Sequence, residues 1–212
     1  MTLVTQSSLD KILWLEKVTQ RWTGPISLTV FAPDVEFELL ALFLDHLIFC
    51  DPELGAKLAI HVFYEEKKPP IKNLKVLNSH IFNCSLNTAK VLNSIFEFPA
   101  LMEPGFQKWR TSYPYPQNLA RNIARKGANS AYTFVTDIDI VPSENSAKNL
   151  RKFLQNNTCQ LCAFVIVTYE LESHQKFPND KEMLRQQINS GKARPFHHTV
   201  FKLNQYATNF SQ

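Results

Sequence analysis

The sequence has no long apolar run. A bilayer-spanning helix needs about 20 consecutive apolar residues, and the strongly apolar stretch Leu39–Cys50 is too short and is broken by Asp45 and His46. No apolar run follows basic residues after Met1, so no secretory leader or membrane segment is expected within these residues. Cysteine is scarce: the 212 residues hold four, Cys50, Cys84, Cys159 and Cys162. Cys159-Gln-Leu-Cys162 has the spacing of a metal-binding pair, but no second such pair exists. On the strand suggested by the apolar residues that follow, two residues three apart point to opposite faces. Buried or disulfide-bonded cysteines are therefore expected rather than a zinc site. A strong charge of one sign is also missing. With 23 basic and 19 acidic residues the formal net charge is +4, too slight to mark a nucleic-acid binder and compatible with an anionic small ligand. No repeat, low-complexity tract or obvious domain boundary divides residues 1–212, which read as a single domain.

What is present is apolar and aromatic. Hydrophobic residues make up 44% of the chain and include 16 Phe, enough to offset ordering entropy and build a core. The patterning predicts a helix capped by Ser8 and ended by Gly24-Pro25. A buried strand follows at Ile26–Ala32, then a helix at Val35–Phe49 capped by Asp34, and a strand at Leu58–Tyr64. Further on, the sequence suggests a short strand near Ile81 and helices at Ala89–Phe96 and Gln117–Lys126. The strand Ala131–Val135 comes next, then a helix from a Ser143 cap to Leu154, a buried strand at Leu161–Thr168, and a helix at Asn179–Asn189 stopped by Gly191. Strands alternate with helices, so a mostly parallel α/β sheet flanked by helices is expected.

The chemistry is concentrated in Thr136-Asp-Ile-Asp-Ile-Val-Pro142. An apolar strand delivers Asp137 and Asp139 at its C-terminal end, the edge where open α/β sheets bind ligands. Two carboxylates there suit a hard divalent cation such as Mn²⁺ or Mg²⁺, its shell completed by substrate phosphates. The helix before that strand carries Asn118, Arg121 and Arg125 at helical spacing, a face suited to a nucleotide diphosphate or a sugar carboxylate. A hydrolase using the two aspartates as acid and base is disfavoured, because carboxylates so close in sequence do not flank a scissile bond at the needed ~5–9.5 Å. Glu170 and Glu172 follow an apolar run and are better read as salt-bridged surface residues than as a base. His197-His198 is read as a structural pair in a turn.

These motifs carry a resemblance. Tyr115-Pro-Gln-Asn-Leu-Ala-Arg-Asn-Ile-Ala-Arg-Lys-Gly127, followed by the Asp137–Asp139 dyad, resembles glycosyltransferase family 49. So do Arg21-Trp-Thr-Gly-Pro-Ile-Ser-Leu28, Arg194-Pro-Phe-His-His198 and Ala207-Thr-Asn-Phe-Ser211. The resemblance implies a GT-A-like fold, incomplete at its C-terminal side. It implies an inverting transfer of glucuronate from a UDP-glucuronate donor to a sugar hydroxyl, with Mn²⁺ as cofactor (Mg²⁺ possible). The glycan acceptor would be the xylose-terminated O-mannosyl glycan of dystroglycan, and the location the Golgi lumen or membrane. Three N-glycosylation sequons, at Asn83, Asn156 and Asn209, agree weakly with a lumenal location. The family continues past the position of Gln212, where a third metal ligand, a histidine, and much of the acceptor site are expected. The other reading is a catalytically inactive homologue that serves as a binding module.

Overall fold

A computed structural model describes residues 1–71, 83–157, 159 and 161–201. The expected strand near Ile81 lies outside these residues. The chain divides into two compact units, Met1–Val141 and Pro142–Gln212.

The first unit is built on a four-stranded parallel sheet in the order β3-β2-β1-β4. Its strands are β1 (Thr2–Ser8), β2 (Ile26–Phe31), β3 (Leu58–Phe63) and β4 (Thr133–Val135). Its helices are α1 (Trp14–Arg21), α2 (Glu36–Cys50), α3 (Pro52–Lys57), α4 (Thr88–Phe96), α5 (Pro104–Ser112) and α6 (Gln117–Lys126). The fold is thus the expected α/β arrangement, a parallel sheet flanked by helices. β1 is a strand that the sequence pattern hides. Its residues Thr5, Gln6, Ser7 and Ser8 are polar, yet all are buried, paired along β2 beyond the short ladder to β4.

Several boundaries hold for clear reasons. Two prolines precede α6 and Gly127 follows it, and the helix buries only the small side chains of Ala120 and Ala124. This narrow face brings its backbone against the sheet, where Ser27 Oγ donates to the Ala124 carbonyl at 2.7 Å. Asp51 ends α2 and its carboxylate accepts from the Leu54 amide, capping α3. Three expected caps fail. Ser8 makes no capping bond, its hydroxyl donating to the Asp10 carboxylate instead. Asp34 takes φ +55° and its carboxylate binds Lys68, so α2 begins without a side-chain cap. Ser143 bonds Ser146, and the residue before the helix Ser146–Asn156 is Asn145, in a left-handed conformation. The expected first helix begins as a 3-10 turn, Leu9–Lys11, and continues after a break as α1, which ends before Gly24-Pro25 as expected. A disulfide joins Cys50, at the end of α2, to Cys84.

The second unit contains α7 (Ser146–Asn156), α8 (Lys181–Asn189) and an antiparallel pair, β5 (Tyr169–Leu171) with β6 (Ala193–Pro195). The expected buried strand Leu161–Thr168 is not observed. Those residues form no regular ladder, and Leu161 and Val165 are 98% and 86% exposed. A strand exists only where a neighbour accepts and donates its backbone hydrogen bonds in a regular ladder, and among the described residues this run joins no ladder; at its end the Thr168 carbonyl accepts from the Phe196 amide at 3.0 Å. Cys159 and Cys162 are paired with each other, with Cα atoms 5.9 Å apart, which an extended strand could not allow. Asp180 caps α8 and Gly191, at φ +73°, follows it, as the sequence suggests.

Candidate functional site

The register of the sheet sets the site. Val4 of β1 pairs with Val135 of β4, and the Thr136 amide donates to the Val4 carbonyl at 3.0 Å. Two residues further along both strands, Gln6 therefore flanks Asp137. The chain then turns, with the Ile140 amide donating to the Asp137 carbonyl at 3.0 Å. Ile138 points inward and is 4% exposed, while Asp137 is half-buried and Asp139 is exposed. The apolar middle residue anchors the turn, and the carboxylates on either side of it remain at the C-terminal edge of the sheet.

The two carboxylates have different surroundings. Arg121 Nη2 donates to both oxygens of Asp137, at 2.7 and 2.8 Å, and Arg121 Nε reaches Oδ1 at 3.1 Å. Gln6 Nε2 donates to Oδ1 at 3.1 Å, and Gln117 Nε2 approaches Oδ2 at 3.5 Å. Gln6 is itself held from behind, because the Tyr115 hydroxyl donates to its Oε1. Burial raises the Tyr115 phenol well above its ordinary value, which keeps it a donor. The Asp139 side chain makes no hydrogen bond or ion pair among the described residues. Of the α6 residues singled out from the sequence, only Arg121 meets a carboxylate. Asn118 and Arg125 lie exposed on the same helix.

A second polar cluster lies at the same edge of the sheet. Arg110 of α5 donates through Nε to Glu36 of α2 at 2.9 Å and sits over the Phe31 ring at 5.4 Å. Burial pushes the Glu36 carboxyl up to about 6, against the lowering pull of Arg110. Its second oxygen, Oε2, is buried without a hydrogen-bond partner. A cavity of about 400 Å³ adjoins it, lined by Asp10, Glu36, Phe96, Phe106, Gln107 and Arg110 among others. Tyr115 feels the charges of Arg110 and Asp10 as well as those of Asp137 and Arg121. Its ring packs against Phe31, over which Arg110 sits, while its hydroxyl bonds Gln6, so it touches both clusters.

In the second unit, Glu170 is fully engaged. It accepts from Arg194 Nε at 2.7 Å and from the His197 amide at 2.9 Å. Those two bonds, the Arg194 one first, hold its carboxyl below the usual range, so it is poorly suited to be a base. His197 lies in a turn at φ +60°. Among the described residues no three His, Cys, Asp or Glu side chains converge as a metal cluster. Sequence reasoning found Asp137, Asp139 and Arg121 but missed Gln6 and Tyr115. Tyr115 stood inside a motif already singled out. Gln6 gave one signal, a β-branched start at Thr2-Leu-Val-Thr5 ahead of it.

Comparison with known proteins agrees with the geometry. A family model described as glycosyl-transferase for dystroglycan matches residues 1–212. Human (Homo sapiens) beta-1,4-glucuronyltransferase 1 is 32% identical over 217 residues, covering 99% of this chain and 50% of that protein. The Danio rerio protein of the same name is 26% identical over 223 residues, covering 100% of this chain and 49% of that protein. Xylosyl- and glucuronyltransferase LARGE2s of Danio rerio is 25% identical over 217 residues, covering 100% of this chain and 22% of that protein. The chain thus spans about half the length of the beta-1,4-glucuronyltransferases and a smaller part of the larger enzyme. On the match along its whole length, the chain belongs to glycosyltransferase family 49.

Proposed function

We propose that this chain is the donor-binding part of a metal-dependent, inverting glycosyltransferase. The reaction is transfer of glucuronate from UDP-glucuronate to a sugar hydroxyl, and the acceptor class is a xylose-terminated O-mannosyl glycan. The observation that carries this reading is Asp139. It is an exposed carboxylate without a partner among the described residues, two residues from a tightly held one, at the C-terminal edge of a parallel sheet. The names of the relatives, glucuronyltransferases, support the sugar class. The Cys50–Cys84 disulfide agrees with an oxidising, lumenal compartment such as the Golgi.

The residues present fit a hard divalent cation. Both candidate ligands are carboxylate oxygens, as Mn²⁺ and Mg²⁺ require. Asp139 has its lone pairs free, and Asp137 is held in a fixed orientation beside it. Once bound, the cation would neutralise negative charge on the diphosphate leaving group. Arg121, with Asn118 and Arg125 on the same helix, would meet the donor's phosphates or its sugar carboxylate. The cavity beside Glu36 leaves room at the same edge for a ring-sized part of a substrate.

The test is a calorimetric titration of Mn²⁺ in the presence of UDP. The unaltered chain is expected to bind loosely, since two carboxylates leave most of an octahedral shell to water and phosphate. Asp139→Ala should abolish that binding and Asp137→Ala should weaken it. Unaltered affinity in both variants would remove the pair from the site. The exposed run around Leu161 and Val165 favours a second reading, a non-catalytic module whose apolar surface a partner covers. That reading gains if Mn²⁺ and UDP bind but no glucuronate is transferred beside an active full-length relative.

A further inference from the structure

Both oxygens of Asp137 are already occupied, chiefly by Arg121. A guanidinium and a divalent cation on the same carboxylate repel each other strongly in a partly buried site. The contact therefore has to be either a permanent strut or one that gives way. Three observations speak against a strut. The Arg121 side chain is 36% exposed and that of Asp137 33%, so the pair is not sealed in. The helix needs no such strut, because Ala120 and Ala124 dock it and Ser27 ties its last turn to β2. Asp137 would also keep its orientation without Arg121, since Gln6, braced by Tyr115, still donates to Oδ1.

We infer that Arg121 is an exchange residue, bound to Asp137 while the site carries no cation and passed to the diphosphate when cation and nucleotide bind. This rests on the reading of Asp137 and Asp139 as cation ligands. The fork of an arginine suits a carboxylate edge and a phosphate equally well, so the exchange conserves bidentate bonding. Asp139, with no competing partner among the described residues, makes the first contact. Asp137 becomes available only when a phosphate draws Arg121 away. Cation and nucleotide diphosphate therefore assist each other's binding, and by linkage the assistance is equal in both directions. Free Mn²⁺ without nucleotide is held poorly, because it has to displace a positive charge.

The inference predicts a sign that a structural role does not. In Arg121→Gln the competing charge is gone, so Mn²⁺ alone should bind about tenfold more tightly than to the unaltered chain, the scale of one charged hydrogen-bonded contact that need no longer be broken. The same variant should lose most of the enhancement of Mn²⁺ affinity that UDP gives the unaltered chain. Mn²⁺ binding is read by electron paramagnetic resonance, with and without UDP, and folding is checked by circular dichroism. Arg121→Lys, which keeps the charge and loses the fork, should resemble the unaltered chain with Mn²⁺ alone and supplies the test if Arg121→Gln does not fold. If Arg121→Gln binds Mn²⁺ alone no better than the unaltered chain, while Asp139→Ala still abolishes binding, the exchange is wrong and the metal site stands. If Asp139→Ala binds as the unaltered chain does, the metal site falls, and the exchange with it.

Discussion

Gln6 and Tyr115 decide how Asp137 presents its carboxylate, although neither carries charge. Gln6 is 5% exposed and uses both ends of its amide, accepting from Tyr115 and donating to Asp137. Removing the phenolic hydroxyl leaves the buried amide oxygen without a donor, a loss of about 1–3 kcal/mol. It also frees the amide to turn its oxygen toward Asp137. Tyr115→Phe is therefore expected to lower the melting temperature and to weaken Mn²⁺ binding in the presence of UDP. Thermal denaturation and the metal titration report the two effects. A variant that loses stability but keeps full Mn²⁺ affinity would show that the relay supports the fold without orienting Asp137. At this scale the sequence disclosed the charged residues, since Asp-Ile-Asp and the α6 arginines are unusual in pattern. It concealed the neutral ones, whose importance comes only from the register of β1 against β4.

Between elements, the Glu36–Arg110 pair joins the first turn of α2 to α5. Its pH dependence follows from the raised carboxyl of Glu36, about 6 against an ordinary 4.5. The folded state holds this proton more tightly than the unfolded state does. Stability from this group is therefore fully present below pH ~4.5 and falls as pH rises to about 6, by roughly 2 kcal/mol. Above that it is flat. Glu36→Gln cannot titrate, so urea denaturation at pH 4.5 and 6.5 should show a smaller decline for it than for the unaltered chain. Equal declines would mean that other groups set the slope. Helices were the legible elements. Proline and glycine bracket α6, and its two alanines are spaced for one narrow buried face. Strands were less legible, because what makes a strand is its neighbour. Polar β1 gains two neighbours and is buried, whereas apolar Leu161–Thr168 joins no ladder among the described residues, and Leu161 and Val165 remain exposed.

At the scale of the molecule, the covalent tie between Cys50 and Cys84 spans 34 residues. Closing a loop of that length removes enough freedom from the unfolded chain to contribute about 3–4 kcal/mol. Cys84→Ser should lower the midpoint of thermal unfolding. A reducing agent should lower that of the unaltered chain by a similar amount and change the variant little, because the Cys159–Cys162 pair closes a loop of only a few residues. A reducing agent without effect on the unaltered chain would show that this bridge is not a determinant of stability. The expected parallel α/β architecture is present in the first unit. The second unit was less legible, since its single antiparallel pair is only three residues long on each side.

The position of β1 also has a consequence for synthesis. Thr2 pairs with Thr133, so one edge of this strand waits for a partner 131 residues later. Ribosomes add about 5–20 residues per second, so that edge stays open on the order of ten seconds. An open strand edge invites pairing with other chains, and an apolar one invites it most. Only Thr2, Leu3 and Val4 pair with β4, so the waiting edge is three residues long and offers a foreign strand little to pair with. The shortness of that ladder is thus its protection on the nascent chain, until the segment bearing the aspartates arrives to close the sheet.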